Sequence, residues 1–490
     1  MNEKKRKQTM KIIMGDFLML FSVVTIVVTL VFITQGWTLD KGSAQQTGLV
    51  QFASKPTGAT VEVDQTTLYA KTNTKANVLP GEHEFKVWRE GYETWYRKTS
   101  VNAGQVLWLN YTRLVPKQKT IKTFNAFENL KQTKVYPNQE EILALNADAN
   151  GAAGFSVIDI KSDTPKISTL NIPSELFTLT TKSAEIPDTP ETQFLAADQI
   201  SIESFTSDNN HVLLKQTVDG VANWILVDLD RPNESQNLTR EFNLNFDQMI
   251  PISDNGSKIL VRTGTDLRQV NTTNKTVSAI LVDSITHFET YGNDVVGYIQ
   301  KQKDSDKYSA GIFKLNETPV IVKKDLVNPK IAVASYYSEN YLHVLDGKNI
   351  YVLKSTEWPT KQNTLKLSQT ITLPFEADVL QVNQEDRIIM ASLKNDTFVY
   401  DLETDKHYDI TTDSKSEETK KITWFDSFVM YGFNDGQLTI RDFDGANKHP
   451  LMDALEAFPA TFSSNNKYVY AIQATEDGKY TLAQLKMIID

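Results

Sequence analysis

The side chains able to do chemistry are few and scattered. Six histidines, His83, His211, His287, His343, His407 and His449, lie far apart in the chain. No H-x-x-x-H or H-E-x-x-H pair therefore offers a metal two ligands from one helix face. His211 and His343 fall within recurring turn–strand segments, where a structural role is expected. There is no cysteine, which excludes disulfides, zinc–thiolate sites, iron–sulfur clusters and a cysteine nucleophile. No G-x-S-x-G elbow, phosphate-binding P-loop or G-x-G-x-x-G turn occurs. Ser464-Asn-Asn-Lys467 has S-x-x-K spacing but lacks the companion motifs that give that spacing meaning. Asp228-Leu-Asp230 and Asp442-Phe-Asp444-Gly445 pair carboxylates as a calcium loop does. Such a loop needs further oxygen ligands and a terminal Glu, so both read as hairpin turns. No catalytic, cofactor-binding or metal residue is assigned, and no cofactor is implied. What remains is chemistry assembled from separate strands, such as the two carboxylates of a glycoside hydrolase. Exposed aromatics that stack on a sugar or a partner are the other option, and Trp95 and Tyr96 are the candidates. Being adjacent on a strand, they face opposite sides, so one of them is exposed.

Charge and hydropathy place these residues. Residues 1–16 carry Lys4, Lys5, Arg6, Lys7 and Lys11 against Glu3 and Asp16, while the whole chain carries −10. The rest is therefore acidic and has no basic stripe, which disfavours nucleic acid as a partner. Residues 12–33 form an apolar run long enough to cross a ~30 Å hydrocarbon core. The basic cluster before it predicts a cytoplasmic tail, residues 1–11, and an extracytoplasmic bulk. Trp37 follows as an interfacial aromatic. The run exceeds an ordinary signal-peptide core and lacks a good cleavage site. The expectation is an uncleaved single-pass anchor in the cell membrane, with a polar linker at 34–47. The membrane is thus one expected partner, through residues 12–33.

From residue 48 the texture is β. Gly48 to Phe52 and Thr60 to Asp64 alternate apolar and polar around Ser54-Lys-Pro56-Thr-Gly58-Ala59, which predicts strand, turn, strand. Leu79-Pro-Gly81-Glu-His83 and Gly91-Tyr92 mark further turns. Pro56 sets φ, and Gly58, Gly81 and Gly91 supply turn conformations open to glycine. The motifs S-x-P-x-G-A-x-V-x-V-D, L-P-G-x-H-x-F-x-V and G-Y resemble the PEGA domain, a small β-sandwich-like module of bacterial and archaeal surface proteins, over residues 48–115. The resemblance implies an extracytoplasmic, adhesive or scaffolding role without catalytic residues. Gln65 stands where that family usually has glycine, which suggests a looser hairpin. Most of the module's aromatics are expected in its core.

Residues 116–490 repeat. A polar turn followed by an apolar strand recurs at Asn138, Ser207, Ser253, Asn383 and Ser463, with weaker copies at Tyr291, Ser338 and Asp426. Several copies lead to a strand ending in Asp: Asp159, Asp228, Asp401 and Asp442. After one wide first interval, the spacing fits the ~40–50 residues of a propeller blade. The texture resembles WD40-like and TolB-like propellers, with seven or eight blades. Residues 162–200, rich in Pro, Thr and Ser, read as an insertion in a surface loop. The fold class expected is all-β: an N-terminal transmembrane helix, a small PEGA-like sandwich, then a β-propeller. The function expected is a membrane-anchored, non-catalytic binding or scaffold protein of the cell envelope, engaging a protein or a cell-wall polymer. The alternative is a propeller-based glycan hydrolase or lyase.

Overall fold

The computed structural model describes residues 3–34, 36–40, 43–182, 192–360, 363–411 and 422–489. The chain divides into two compact units: Met1–Gln118 with Ile488–Asp490, and Lys119–Met487. The last residues thus leave the region 116–490 read as propeller; the backbone N–H of Ile489 donates to the Tyr92 hydroxyl at 2.7 Å.

The first unit opens with a helix over Glu3–Thr34. Within it Thr9–Phe32 is long and apolar enough to cross a membrane, with mean hydropathy 2.3 and none of it buried against the rest of the chain. An anchor and a secretion signal share that property. The segment 34–47, read as a linker, holds a two-stranded hairpin instead, pairing Trp37–Asp40 with Ser43–Gln46. The base of the hairpin is closed by Thr47, whose N–H and hydroxyl both donate to the Gly36 carbonyl, at 2.9 and 2.6 Å. The Trp37 ring stacks on Phe32 at 5.5 Å.

The β module follows as two sheets. One has Gly48–Lys55 between Thr74–Val78 and Val106–Arg113; the other runs Thr66–Thr67, Thr60–Val63, Gly81–Trp88 and Trp95–Val101. Alternation along the strands sends Val50, Phe52 and Leu109 of one sheet and Val61, Phe85, Val87 and Trp95 of the other into a single core. The motif residues have local work. Ser54 and Thr72, both buried, share a hydroxyl hydrogen bond of 2.6 Å. Thr72 Oγ1 accepts the Ala59 N–H, and its carbonyl accepts that of Gly58, so the Pro56–Gly58 turn is held against the segment that leads from the second sheet to Thr74–Val78. Gly58, Gly81 and Gly91 all have positive φ. Asp64 accepts the Glu84 N–H at 2.9 Å and lies 2.5 Å from His83 Nδ1, while His83 Nε2 faces the Leu79 carbonyl at 2.7 Å. The expected looseness at Gln65 is not found. Asp64 and Gln65 take φ of 46° and 68° and close a paired hairpin; Asp64's bonds to the neighbouring strand hold the left-handed pair in place.

The second unit is eight four-stranded antiparallel sheets, described over 130–170, 200–237, 248–277, 285–326, 330–372, 379–411, 423–453 and 461–486. We number them 1 to 8. The fourth strand of sheet 8 is Ile121–Phe127, from the start of the unit, paired with Tyr480–Lys486. Buried apolar clusters join sheets 1 and 2, 2 and 3, 3 and 4, 4 and 5, 5 and 6, and 8 and 1. Tyr408 against Phe443 joins sheets 6 and 7, and Phe425 against Phe462 joins 7 and 8. The circuit closes on itself, which is a β-propeller. The insertion expected at 162–200 is narrower, because Lys166–Leu170 is the outer strand of sheet 1: Ile167 and Leu170 pack inward despite the flanking prolines. The remainder includes the short strands Thr180–Lys182 and Thr192–Phe194; residues 183–191 lie outside the described residues.

The recurring polar turn joins the first and second strands of a sheet. Thr206, Ser253, Asn383 and Ser463 each turn a side-chain oxygen back to the N–H that opens the second strand, at 2.8 to 3.1 Å. The fourth residue of each, Asn209, Gly256, Asp386 or Asn466, is left-handed, with φ from 59° to 69°. That explains the Asn/Asp/Gly texture of the repeat. The weaker copy at Tyr337-Ser338 is a two-residue turn with both φ positive, hence its different sequence.

Two predictions follow from packing. Gln65→Gly should stabilise the module by about 1 kcal/mol, whereas Gly58→Val or Gly91→Val should lower its melting transition and leave the propeller's unchanged. An unaltered module transition in the valine variants would refute the turn assignment. The second concerns His343, which is 0% exposed in sheet 5, with no hydrogen-bond partner at either ring nitrogen. Burial pushes its pKa down to about 3. The folded state keeps it neutral while the unfolded chain takes up a proton near pH 6.5, so stability is lost as pH falls below that value. Relative to the parent, His343→Leu should gain about 1.4 kcal/mol per pH unit below ~6.5, read by chemical denaturation at pH 7 and 5.

Candidate functional site

The first strand of each sheet begins at a crossover from the preceding sheet and ends at the recurring turn. The two ends of the propeller therefore differ: one carries the regular turns, the other the crossovers and the second hairpins. At the crossover end, three cavities lie side by side over sheets 4, 5 and 6. The first, about 1000 Å³, lies between the crossover at 283–286 and the hairpin at 302–307. The second, about 560 Å³, lies over the first strands of the three sheets. The third, about 570 Å³, lies between the crossover at 327–328 and the hairpin at 346–349. Thr286 lines the first and second, while Val327, Asn328 and Asp378 line the second and third.

The middle cavity is built from first strands. His287 and Glu289 alternate along Ile285–Tyr291 and so share a face toward sheet 5. Lys330 opens the first strand of sheet 5, and Asp378 and Gln381 come from the edge and first strand of sheet 6. The crossover Val327–Asn328 is pinned by Asp346, whose carboxylate accepts both backbone N–H groups at 2.8 to 3.1 Å. The side chains of His287, Asn328, Lys330, Asp378 and Gln381 have no hydrogen-bond or ion-pair partner among the described residues.

Elsewhere on or near the inner strands, several polar side chains tie neighbouring sheets together. Gln132 of sheet 1 bonds both backbone groups of Ile202 in sheet 2, at 3.1 and 2.8 Å. Gln248 of sheet 3 donates to the Phe288 carbonyl of sheet 4 at 3.1 Å. Asp386 of sheet 6 accepts the Ser335 N–H of sheet 5 at 3.1 Å and the Tyr291 hydroxyl of sheet 4 at 2.6 Å. Glu289 makes one such tie, accepting the Val333 N–H at 2.6 Å. Burial pushes its carboxyl up to about 7, against the lowering effect of that N–H. His287 keeps an open surface inside the concave wall. Desolvation there, with the Lys330 and Arg262 cations, holds its imidazole below the usual range. A histidine held toward its neutral form and a carboxyl held toward its protonated form thus line one cavity, a combination able to exchange a proton or to hydrogen-bond a polar ligand.

The residues singled out from sequence lie elsewhere. Trp95, named as a binding candidate, is 1% exposed and packs edge-on against Tyr111 in the module core; its place on the inward side of the strand removes it from any surface. Tyr96 faces outward at 38% exposure, as does Trp88 at 42%. Asp228 accepts the N–H groups of Asp230 and Arg231 and pairs with the Arg231 guanidinium at 3.1 Å. Asp444 accepts the Ala446 N–H. Both Asp pairs form hairpin turns. Lys467 of the S-x-x-K match pairs with Asp163 at 2.7 Å. His287 and Glu289 carry no local motif; alternation on a first strand was their only signal.

Comparison with known proteins agrees with this division. Residues 47–117 match the PEGA domain family. No curated protein matches the chain. Similar solved structures include the Dos1 propeller, at 12% identity over 75% of this chain and 95% of that one, TM-score 0.44. An oligogalacturonate lyase from Vibrio parahaemolyticus is similar at 12% identity over 63% of this chain and 97% of that one, TM-score 0.37. Dipeptidyl peptidase 4 of Porphyromonas gingivalis is similar at 12% identity over 72% of this chain and 57% of that one, TM-score 0.45. At these scores the likenesses carry no argument, and the propeller rests on the circuit of sheets described above.

Glu289→Gln tests the electrostatics of the middle cavity. A folded pKa raised above the unfolded value of about 4.5 means the parent loses stability as pH rises from there to ~7. The amide carbonyl can still accept the Val333 N–H, so the variant should gain on the parent across that window and run parallel above it. A stability difference independent of pH between 4 and 8 would show that Glu289 titrates normally.

Proposed function

We propose that this chain is a membrane-anchored, extracytoplasmic binding protein of the cell envelope. In this reading Thr9–Phe32 is the anchor, the PEGA domain is the membrane-proximal module, and the propeller engages the ligand. The basic residues before the helix support an inside N-terminus, and the module's family is one of surface proteins. The observation that carries the binding role is the set of adjoining cavities at the crossover end, where polar side chains stand without protein partners among the described residues. Several such groups elsewhere in the ring make ties between sheets; here a cluster of them is open to a ligand. The ligand is a protein or a cell-wall polymer. Glu289 and His287 in one cavity favour a second reading, a propeller-based glycan hydrolase or lyase, because a carboxyl near 7 suits general acid–base work.

The test is co-sedimentation of the full chain in detergent micelles with purified cell wall. The parent should pellet, and the pair Lys330→Ala with Asp378→Ala should reduce the bound fraction about tenfold or more. Loss on deleting 48–115, with the cavity variants unaffected, would move the binding role to the module. Release of soluble reducing sugar or unsaturated product during the incubation would replace the binding reading with the enzymatic one.

A further inference from the structure

We propose that the middle cavity is a subsite for the hydroxyl-bearing ring of a glycan, and that the two flanking cavities accept its neighbouring sugars. The inference deepens the binding role given above and rests on it. The argument begins with the balance of donors and acceptors. Lys330 only donates, Asp378 only accepts, and the amides of Asn328 and Gln381 do both. An anion would be met by Asp378 and Glu289, and a cation by Lys330. A polyol suits all of them, since each hydroxyl donates once and accepts twice.

Geometry supports the same class. At about 560 Å³ the cavity falls within the ~300–1,000 Å³ usual for small-ligand sites. Shared lining residues set the flanking cavities against it on both sides, within reach of neighbouring units of a polymer. Peptide hot spots centre on aromatic and arginine anchors. Tyr308 is the only residue of that kind lining the cavity among the described residues, and the exposed apolar Val327 stands at the rim. One aromatic beside several planar polar groups fits a sugar, which offers one apolar ring face and a belt of hydroxyls. The cavity is also held open by the fold. The crossover that forms its wall is clamped by Asp346, and the first strands beneath it are tied through Glu289 and Asp386.

The experiment uses the full chain in nanodiscs and four probes: the tetramer of β-1,4-linked N-acetylglucosamine, cellotetraose, tetragalacturonate and a lysine–glutamate tetrapeptide. Binding is followed by isothermal titration, with saturation-transfer NMR to locate the bound sugar protons. At least one tetrasaccharide should bind with a Kd below about 1 mM. Asp378→Ala and Gln381→Ala should each weaken it about tenfold at an unchanged melting temperature. Lys75→Ala, exposed on the separate β module, should leave it unchanged. If no tetrasaccharide binds up to that concentration, or if binding persists in both cavity variants, the glycan assignment is wrong. Binding of the tetrapeptide alone, weakened by the same two variants, would also overturn it while leaving the binding role of the propeller intact. Failure of all four probes, together with wall co-sedimentation indifferent to the cavity variants, would remove both.

Discussion

The pairing of Ile121–Phe127 with Tyr480–Lys486 is the constraint on which the larger unit depends. Each of the eight sheets is apolar on both faces and must be covered on both sides. A row of such sheets leaves two faces wet; a ring leaves none. By giving its first strand to the last sheet, the chain places sheet 8 against sheet 1, where Leu130, Ile142, Tyr470 and Leu482 share one core. Closure also fixes the radius at which the first strands stand. The cross-ties of Gln132, Gln248, Glu289 and Asp386 are possible only because neighbouring first strands are held within one side chain's reach. Since the closing strand comes from the opposite end of the sequence, the ring has no local substitute for it, and its contacts are among the most distant in the chain.

Much of this was legible in the sequence, for identifiable reasons. The apolar run at 12–33, the PEGA motifs and the repeat of turn and strand all rest on local patterns: hydropathy, period-two alternation and left-handed turn residues. The eight turn segments correspond to eight sheets because each sheet needs one hairpin between its first and second strands, and in sheets 2, 3, 6 and 8 that hairpin uses the same side-chain capping. What was not legible depends on the third dimension. Trp95 and Tyr96 read alike as exposed-aromatic candidates until pairing with Lys86 and Val87 put one inside and the other outside. Lys166–Leu170 looks like loop sequence, yet a free edge beside Ala153–Asp159 recruits it as a strand.

The same contrast explains why the cavity lining escaped notice. Repetition in a propeller marks what every sheet must do, which is to turn and to pack. A ligand site is where sheets differ from one another. The site proposed above falls at the crossover end, opposite the repeated turns, on segments that share no pattern: a bulged strand at 285–291, the clamped crossover at 327–330 and the edge of sheet 6. A reading built on periodicity is drawn to the regular end and passes over the irregular one.

Glu289 shows how structure and site meet in one residue. As a tie between sheets 4 and 5, a glutamine would serve better. Gln132 demonstrates this by bonding both the carbonyl and the N–H of one residue, without burying a charge. The carboxyl makes a single backbone bond and resists ionisation because of its burial, so its net contribution to stability falls as the solution becomes less acidic. Holding the strands together therefore does not account for a carboxyl at this position. The proposed binding role does: a carboxyl whose burial favours the protonated form can donate or accept toward a hydroxyl, at a point the fold already keeps rigid. On that reading, the stability forgone at Glu289 is what it costs to leave one part of a tightly tied ring open to another molecule.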